Sequence, residues 1–196
     1  REFFQYLAMK HGNRIFRAGG IKARPIDWRA DRALFQRWCA GQTGIPFVDA
    51  HMQQLNRTGF LSNRGRVNCA SFLSHDYRID WTWGAAYFES RLIDYDVCSN
   101  WLNWNFQATE LRYTNPIWQH RKYDRQGAYV KTWLPALAAV PPPLLYAPFL
   151  MSEEDQHRYG VVLDRDYPRP ALIREQWDWV LRRLRKELGA AGQQPD

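Results

Sequence analysis

Apolar residues recur at spacings of three and four along most of the chain, and nowhere in the alternation of a half-buried strand. Phe3, Phe4 and Leu7, with His11, form such a stripe over residues 1–11, which Gly12-Asn13 ends. Residues 13–29, holding Gly19-Gly20 and Pro25, read as loop. Leu34, Phe35 and Trp38 mark a helix from Asp31 that Gly41 closes. Thr43 reads as the N-cap of the next, with Pro46 in its first turn and Phe47, Val48, His51, Met52 and Leu55 as its apolar face. Further helices are predicted over 63–75, from Trp83 to Ile93, and from a cap at Asp96 to about Phe106. Shorter ones follow around 116–122, 126–134 and 145–158. A last helix over 170–187 sets Trp177, Val180 and Leu184 against an Arg/Lys-rich side. The Pro-rich stretch 135–148 reads as a connector and 189–196 as a disordered tail. The pattern predicts an all-α, multi-helix domain over 1–188.

Composition changes this picture in two places. Ten each of Trp, Tyr and Phe bring the aromatic share to 15%, a load that must pack a core or serve a ligand. The net charge of +7 favours polyanionic partners such as nucleic acid. Cys39, Cys69 and Cys98 are odd in number and too far apart for a zinc or redox pair, so free, buried thiols in a reducing, cytoplasmic compartment are expected. No apolar run approaches the ~20 residues of a membrane span. The chain opens on Arg1, inside a predicted helix, as an excised piece would.

Metal and phosphate motifs are missing. His11, His51, His75, His120 and His157 are scattered, and Gly19-Gly20 follows no strand. Two segments carry more. In Thr58–Arg66 (TGFLSNRGR), Asn63 and Arg66 lie three apart on one helix face. They would present an amide and a cationic fork to a polar, electron-accepting ring; a capped helix with solvated arginines is the plainer reading. In Asp94–Trp104 (DYDVCSNWLNW), Asp94 and Asp96 flank the entry to a helix, with Asn100 one turn on. If that cluster is buried, Asp94 needs a cation, and Arg66 is the natural one. Helix capping by Asp96 explains one aspartate and leaves the other.

The segments TGIPFVDAHMQQLNRTGFLSNRGR (43–66), SFLSHDYRIDW (71–81), LIDYDVCSNWLNW (92–104) and YDRQGAYVKTWLPAL (123–137) resemble the flavin domain of photolyases and cryptochromes. KHGNRIFRAGGI (10–21) and GFLSNRGR (59–66) resemble its DASH-type branch. The resemblance implies FAD as cofactor. It implies that Asn63 faces the flavin N5, that Arg66 and Asp94 form an ion pair beside the ring, and that Asp96 and Asn100 line the ring and its ribityl region. Arg1 would be a further flavin contact. Trp104, Trp81 and Trp28 would form the electron-transfer chain that reduces the photoexcited flavin; without the resemblance they read as core.

Three departures accompany the resemblance. The α/β antenna domain, the loop that holds the FAD diphosphate and the lesion-holding acid and tryptophan all belong before position 1, so a complementing chain or the missing N-terminal half is the expected partner. Val67 and Phe106 stand at the two positions that touch the pyrimidine dimer, in place of a longer polar or thioether side chain and of Trp or Tyr. The loop after Phe106 is shortened to Gln107–Arg112. The implied activity is blue-light-driven electron transfer, with repair of pyrimidine dimers in single-stranded or damaged DNA as its enzymatic form. A photoreceptor without repair, and a scaffold for another planar ligand or a complementing chain, are the alternatives.

Overall fold

The computed structural model describes residues 2–110 and 113–191. Among them the regular elements are helices, and extended pairing is limited to isolated bridges. The chain divides into two compact units, residues 1–39 with 54–114, and residues 40–53 with 115–196.

The first unit holds α1 (Glu2–His11), α2 (Arg32–Cys39), the end of α3 (Pro46–Thr58), α4 (Asn63–Ser71), α5 (Trp81–Arg91) and α6 (Val97–Thr109). Each of the last three starts on a side-chain cap. Ser62 accepts from the Gly65 N–H, Asp80 from Thr82 and Asp96 from Ser99, satisfying donors that a helix start leaves unpaired. The cap on Asp80 starts α5 two residues before the predicted Trp83. After α4 the chain passes through a π-turn over Phe72–Asp76, where the sequence pattern read one continuous helix. The core forms around Trp38, which is fully buried, stacks on Phe88 at 5.8 Å and meets the edge of Trp104 at 6.0 Å. Its indole N–H donates to the Cys69 carbonyl. Truncating such a ring to alanine costs roughly 3–5 kcal/mol.

The second unit holds the start of α3, α7 (Pro116–Tyr123), α8 (Ala128–Trp133), α9 (Glu153–Tyr159) and α10 (Asp178–Ala191), with short 3-10 turns between them. Thr43 is not the cap of α3. Asp49, fully buried, instead reaches back to accept from the Thr43 hydroxyl and the backbone N–H groups of Thr43 and Gly44, while Tyr167 donates its hydroxyl from far along the chain. Residues 135–148 are not a free connector. Leu137, Val140, Leu144 and Leu145 from that stretch pack with Phe47, Ala50 and Val130 in the core. The helix predicted over 145–158 begins only at Glu153, because Ser152 and Asp155 form a capping box there. The last helix begins at Asp178 and runs to Ala191, so the first part of the expected tail is helical; 192–196 lie outside the described residues.

Two buried histidines share this unit. His120 stacks on Phe47 and meets the edge of Tyr146, and neither ring nitrogen has a hydrogen-bond partner. Burial pushes its pKa down to about 3 and that of His51 to about 4. Asp124, 3.8 Å from His120, does not outweigh that desolvation.

All three cysteines are free, but only Cys69 is fully buried; Cys39 and Cys98 are half-buried, since each sits near a helix end. Among the described residues no helix is long and apolar enough to cross a membrane.

Candidate functional site

A cavity of about 380 Å3 opens in the first unit between α4, α6 and the segment that joins α5 to α6. Its wall includes Asn63, Arg66, Val67, Asp94, Asp96, Asn100, Trp104 and Phe106. Every site residue named from the sequence is on that wall except Trp81, Trp28 and Arg1, and Arg1 lies outside the described residues.

The polar side of the cavity is fixed by short contacts. Arg66 donates through one terminal nitrogen to both Asp94 carboxylate oxygens, at 2.8 and 2.7 Å, and through Nε to the Leu61 carbonyl at 2.8 Å. The second terminal nitrogen of Arg66 makes no hydrogen bond to a described residue. Asp96 is held by its capping bond to Ser99. The Asn100 carboxamide donates one N–H to the Ala85 carbonyl at 2.9 Å and keeps its oxygen for other contacts.

The cluster is not the closed pocket that the pairing argument assumed. The Asp94 side chain is 49% exposed and that of Arg66 29%, and Asn63 is exposed at the first turn of α4. Water at the open edge makes the ion pair affordable, which a dry interior would not. Asn100 and Gln107, at 9% and 7% exposure, are the most enclosed amides on the wall.

The other side is apolar. Val67 and Phe106 are half-buried, and Leu92, Phe88 and Trp104 complete the wall. Phe106 also contacts Phe4 of α1 at 6.1 Å. Trp104 is set by Gly84, where an added Cβ would stand 2.3 Å from the indole; only a glycine lets α5 approach so closely. Trp81 lies one helical turn before Gly84 on α5, fully buried. Trp81 and the half-buried Trp28 donate their indole N–H groups to the same carbonyl, that of Ala18, at 2.9 and 3.1 Å. Trp104 of α6 thus stands on the cavity wall, while Trp81 of α5 and Trp28 of the loop before α2 meet at the Ala18 carbonyl.

Sequence reasoning missed several wall residues. Ser99 and Asn103 face the cavity because α6 begins at Val97 and returns to it every four residues, and Tyr95 lines it from the segment before the Asp96 cap. Gln107 was read as the start of a loop, yet α6 continues through Thr109 and carries it, buried, onto the wall. Leu111 and Arg112 lie outside the described residues.

A cavity near the low end of the ~300–1000 Å3 usual for ligand sites suits a ring system better than a whole dinucleotide. Its apolar wall can cover the flat faces of a heteroaromatic, while the amides, guanidinium and carboxylates meet a polar edge with both donors and acceptors. The residues present fit an isoalloxazine ring.

The described residues thus form an all-α domain with a half-apolar, half-polar cavity that suits a flavin ring. The model for the FAD binding domain of DNA photolyase matches residues 1–183, and the chain belongs to that family. The protein described as cryptochrome DASH from Natronomonas pharaonis is 54% identical over 177 residues, covering 88% of this chain and 37% of that protein. The solved cryptochrome of Synechocystis sp. aligns with a TM-score of 0.88 at 47% identity, over 94% of this chain and 39% of that one. An archaeal photolyase from Sulfolobus tokodaii, solved with two FAD molecules, aligns with a TM-score of 0.77 at 29% identity, over 97% and 42%. FAD is the cofactor this family's domain is built for. The chain spans little more than a third of the length of such relatives.

Proposed function

We propose that this chain supplies the flavin-ring cavity and the electron path of a blue-light-driven, FAD-dependent electron-transfer protein of the DASH type. The observation that carries the reading is the meeting of Asn63, Arg66, Asp94, Asp96 and Asn100 on one cavity wall. These residues come from two segments nearly thirty positions apart, and capping alone asks only for Asp96.

Bound there, FAD supplies light absorption and one-electron chemistry. The chain's own residues do the rest. Arg66 holds positive charge against the polar edge, favouring added negative charge, and Asp94 fixes the guanidinium in place. Asn63 and Asn100 offer amides that can donate or accept. Val67, Phe88 and Phe106 exclude water from one side. Trp104, at the wall, is the first electron donor; Trp81 and then Trp28 refill it in turn, so the vacancy moves outward to the solvent side.

The reaction proposed is repair of pyrimidine dimers in single-stranded DNA. Phe106 offers a stacking face for a base, a contact that tolerates any sequence. Val67 contributes no hydrogen bond beside it, and that favours a photoreceptor without repair as the second reading.

The portion of the family's fold that relatives carry beyond this match is the proposed partner. Helix α1 supports it: Phe3, Tyr6 and Met9 are 62%, 57% and 80% exposed, and none of its residues is buried.

The test joins this chain to that portion from a DASH relative and follows two signals under blue light. Repair of dimer-bearing single-stranded DNA is expected together with bleaching of the oxidised flavin band. Bleaching without repair leaves the photoreceptor. Bleaching that survives Trp104→Phe rules out the indole path.

A further inference from the structure

Away from the cavity, in the second unit, two helices present tryptophans and cations to solvent side by side. On α10, Trp179, Arg182, Arg183 and Lys186 recur at spacings of three and four and so share one face. The opposite face carries Val180, Leu181 and Leu184, all buried. On α7, Trp118, Arg121 and Lys122 share a face by the same spacing. The two faces meet. Trp118 and Trp179 lie 5.3 Å apart, tilted by 55°, and Arg121 of α7 pairs with Glu187 of α10 at 2.7 Å. The Arg183 guanidinium lies 5.9 Å from the Trp118 ring centre.

Folding alone does not account for this surface. Trp179 is 46% exposed and abuts Trp118, so an indole pair rimmed by cations borders solvent, a contiguous patch of the kind that marks interaction sites. The charge is one-sided as well: Arg121, Lys122, Arg182, Arg183, Arg185 and Lys186 stand against only Asp178 and Glu187 on these helices.

We infer that the Trp118–Trp179 pair and the cations beside it form a second nucleic-acid site, for a single strand, separate from the flavin cavity. A strand needs stacking faces for unpaired bases and cations along its phosphates, and this surface offers both within two adjacent helices. A duplex keeps its bases stacked on one another and has no use for the tryptophans. Stacking faces and phosphate contacts carry no base identity, so the site engages undamaged strand with little dependence on sequence.

The test is fluorescence anisotropy of the full chain with a labelled, undamaged oligothymidylate at several salt concentrations, with a duplex of equal length alongside. Trp179→Ala is expected to weaken single-strand binding about 5- to 150-fold, the range for loss of one stacked base. Arg182→Ala combined with Lys186→Ala, which removes no buried side chain, is expected to lower the slope of log K against log salt by about 1.4, at 0.7 for each phosphate contact. Circular dichroism confirms that both variants remain helical. Binding unchanged in both variants, or equal binding of duplex and single strand, overturns the inference. Absence of any nucleic-acid affinity overturns it too and leaves the surface to a protein. None of these outcomes depends on flavin, so they are separable from failure of the cavity reading.

Discussion

Gly84 is where the packing of the core and the electron path meet, and Gly84→Ala tests both. A Cβ there would stand 2.3 Å from the Trp104 ring and 2.6 Å from a Leu73 methyl, against an ordinary carbon–carbon contact of about 3.5–4.0 Å. The indole would have to retreat by more than ~1 Å. It has nowhere to go: Phe88 is 5.1 Å away at its edge and Trp38 6.0 Å. Overpacking of this kind costs about 1–3 kcal/mol. Removing a glycine from a helix returns about 1 kcal/mol. The net expectation is a loss of up to about 2 kcal/mol. Gly189, in α10, has nothing within 4 Å of its own added Cβ, so Gly189→Ala is expected to be neutral or slightly stabilising. Urea unfolding followed by circular dichroism measures both. If Gly84→Ala stabilises the protein as Gly189→Ala does, Trp104 is not clamped against α5 and the argument fails.

Other expectations follow from the same geometry. Unfolded histidine takes up a proton near pH 6.5, while His51 and His120 stay neutral in the fold down to about 4 and 3, so unfolding binds protons in that window. Stability is therefore complete above pH ~6.5 and falls on acidification, by roughly 2–3 kcal/mol per histidine at pH ~4.5; His120→Phe should remove its share of the slope, and an identical pH profile in that variant would count against it. Asp94→Asn breaks a pair that is half open to water, so stability should move by less than ~1 kcal/mol, while loss of the fixed guanidinium weakens FAD retention about tenfold. Equal losses in the two measurements would make Asp94 a structural residue only. Asn105 is fully buried with neither amide atom partnered, so Asn105→Leu should raise stability by about 1–2 kcal/mol; a loss instead means that the amide is satisfied, for example by internal water.

Much of the fold was legible locally. Helix starts at Asn63, Val97 and Pro116 follow from capping side chains that the sequence displays next to an apolar stripe. Spacing placed Asn63 with Arg66 on one helix face, and Asp94 and Asp96 with Asn100 at one helix entry, but a capped helix explained either segment as well. Only the resemblance singled them out together, and the structure sets all five on one cavity wall. Long-range choices were not legible. Thr43 has the chemistry of a cap, and only the fold reveals that Asp49 and Tyr167, 118 positions apart, already claim that turn. Gly84 looks like any helix-weakening glycine until Trp104 is placed against it. Residues 137–145 look like linker because prolines break their period, yet their leucines find a core made elsewhere in the chain. The degree to which water reaches Asp94 could not be read from spacing at all.

The most direct measurement is the absorption spectrum of this chain purified together with the portion of a DASH relative that lies beyond the match. One FAD per chain is expected, and its loss in the Arg66→Ala, Asn100→Leu double variant. A colourless complex, or one that keeps its flavin unchanged in that variant, contradicts the placement of the ring in this cavity.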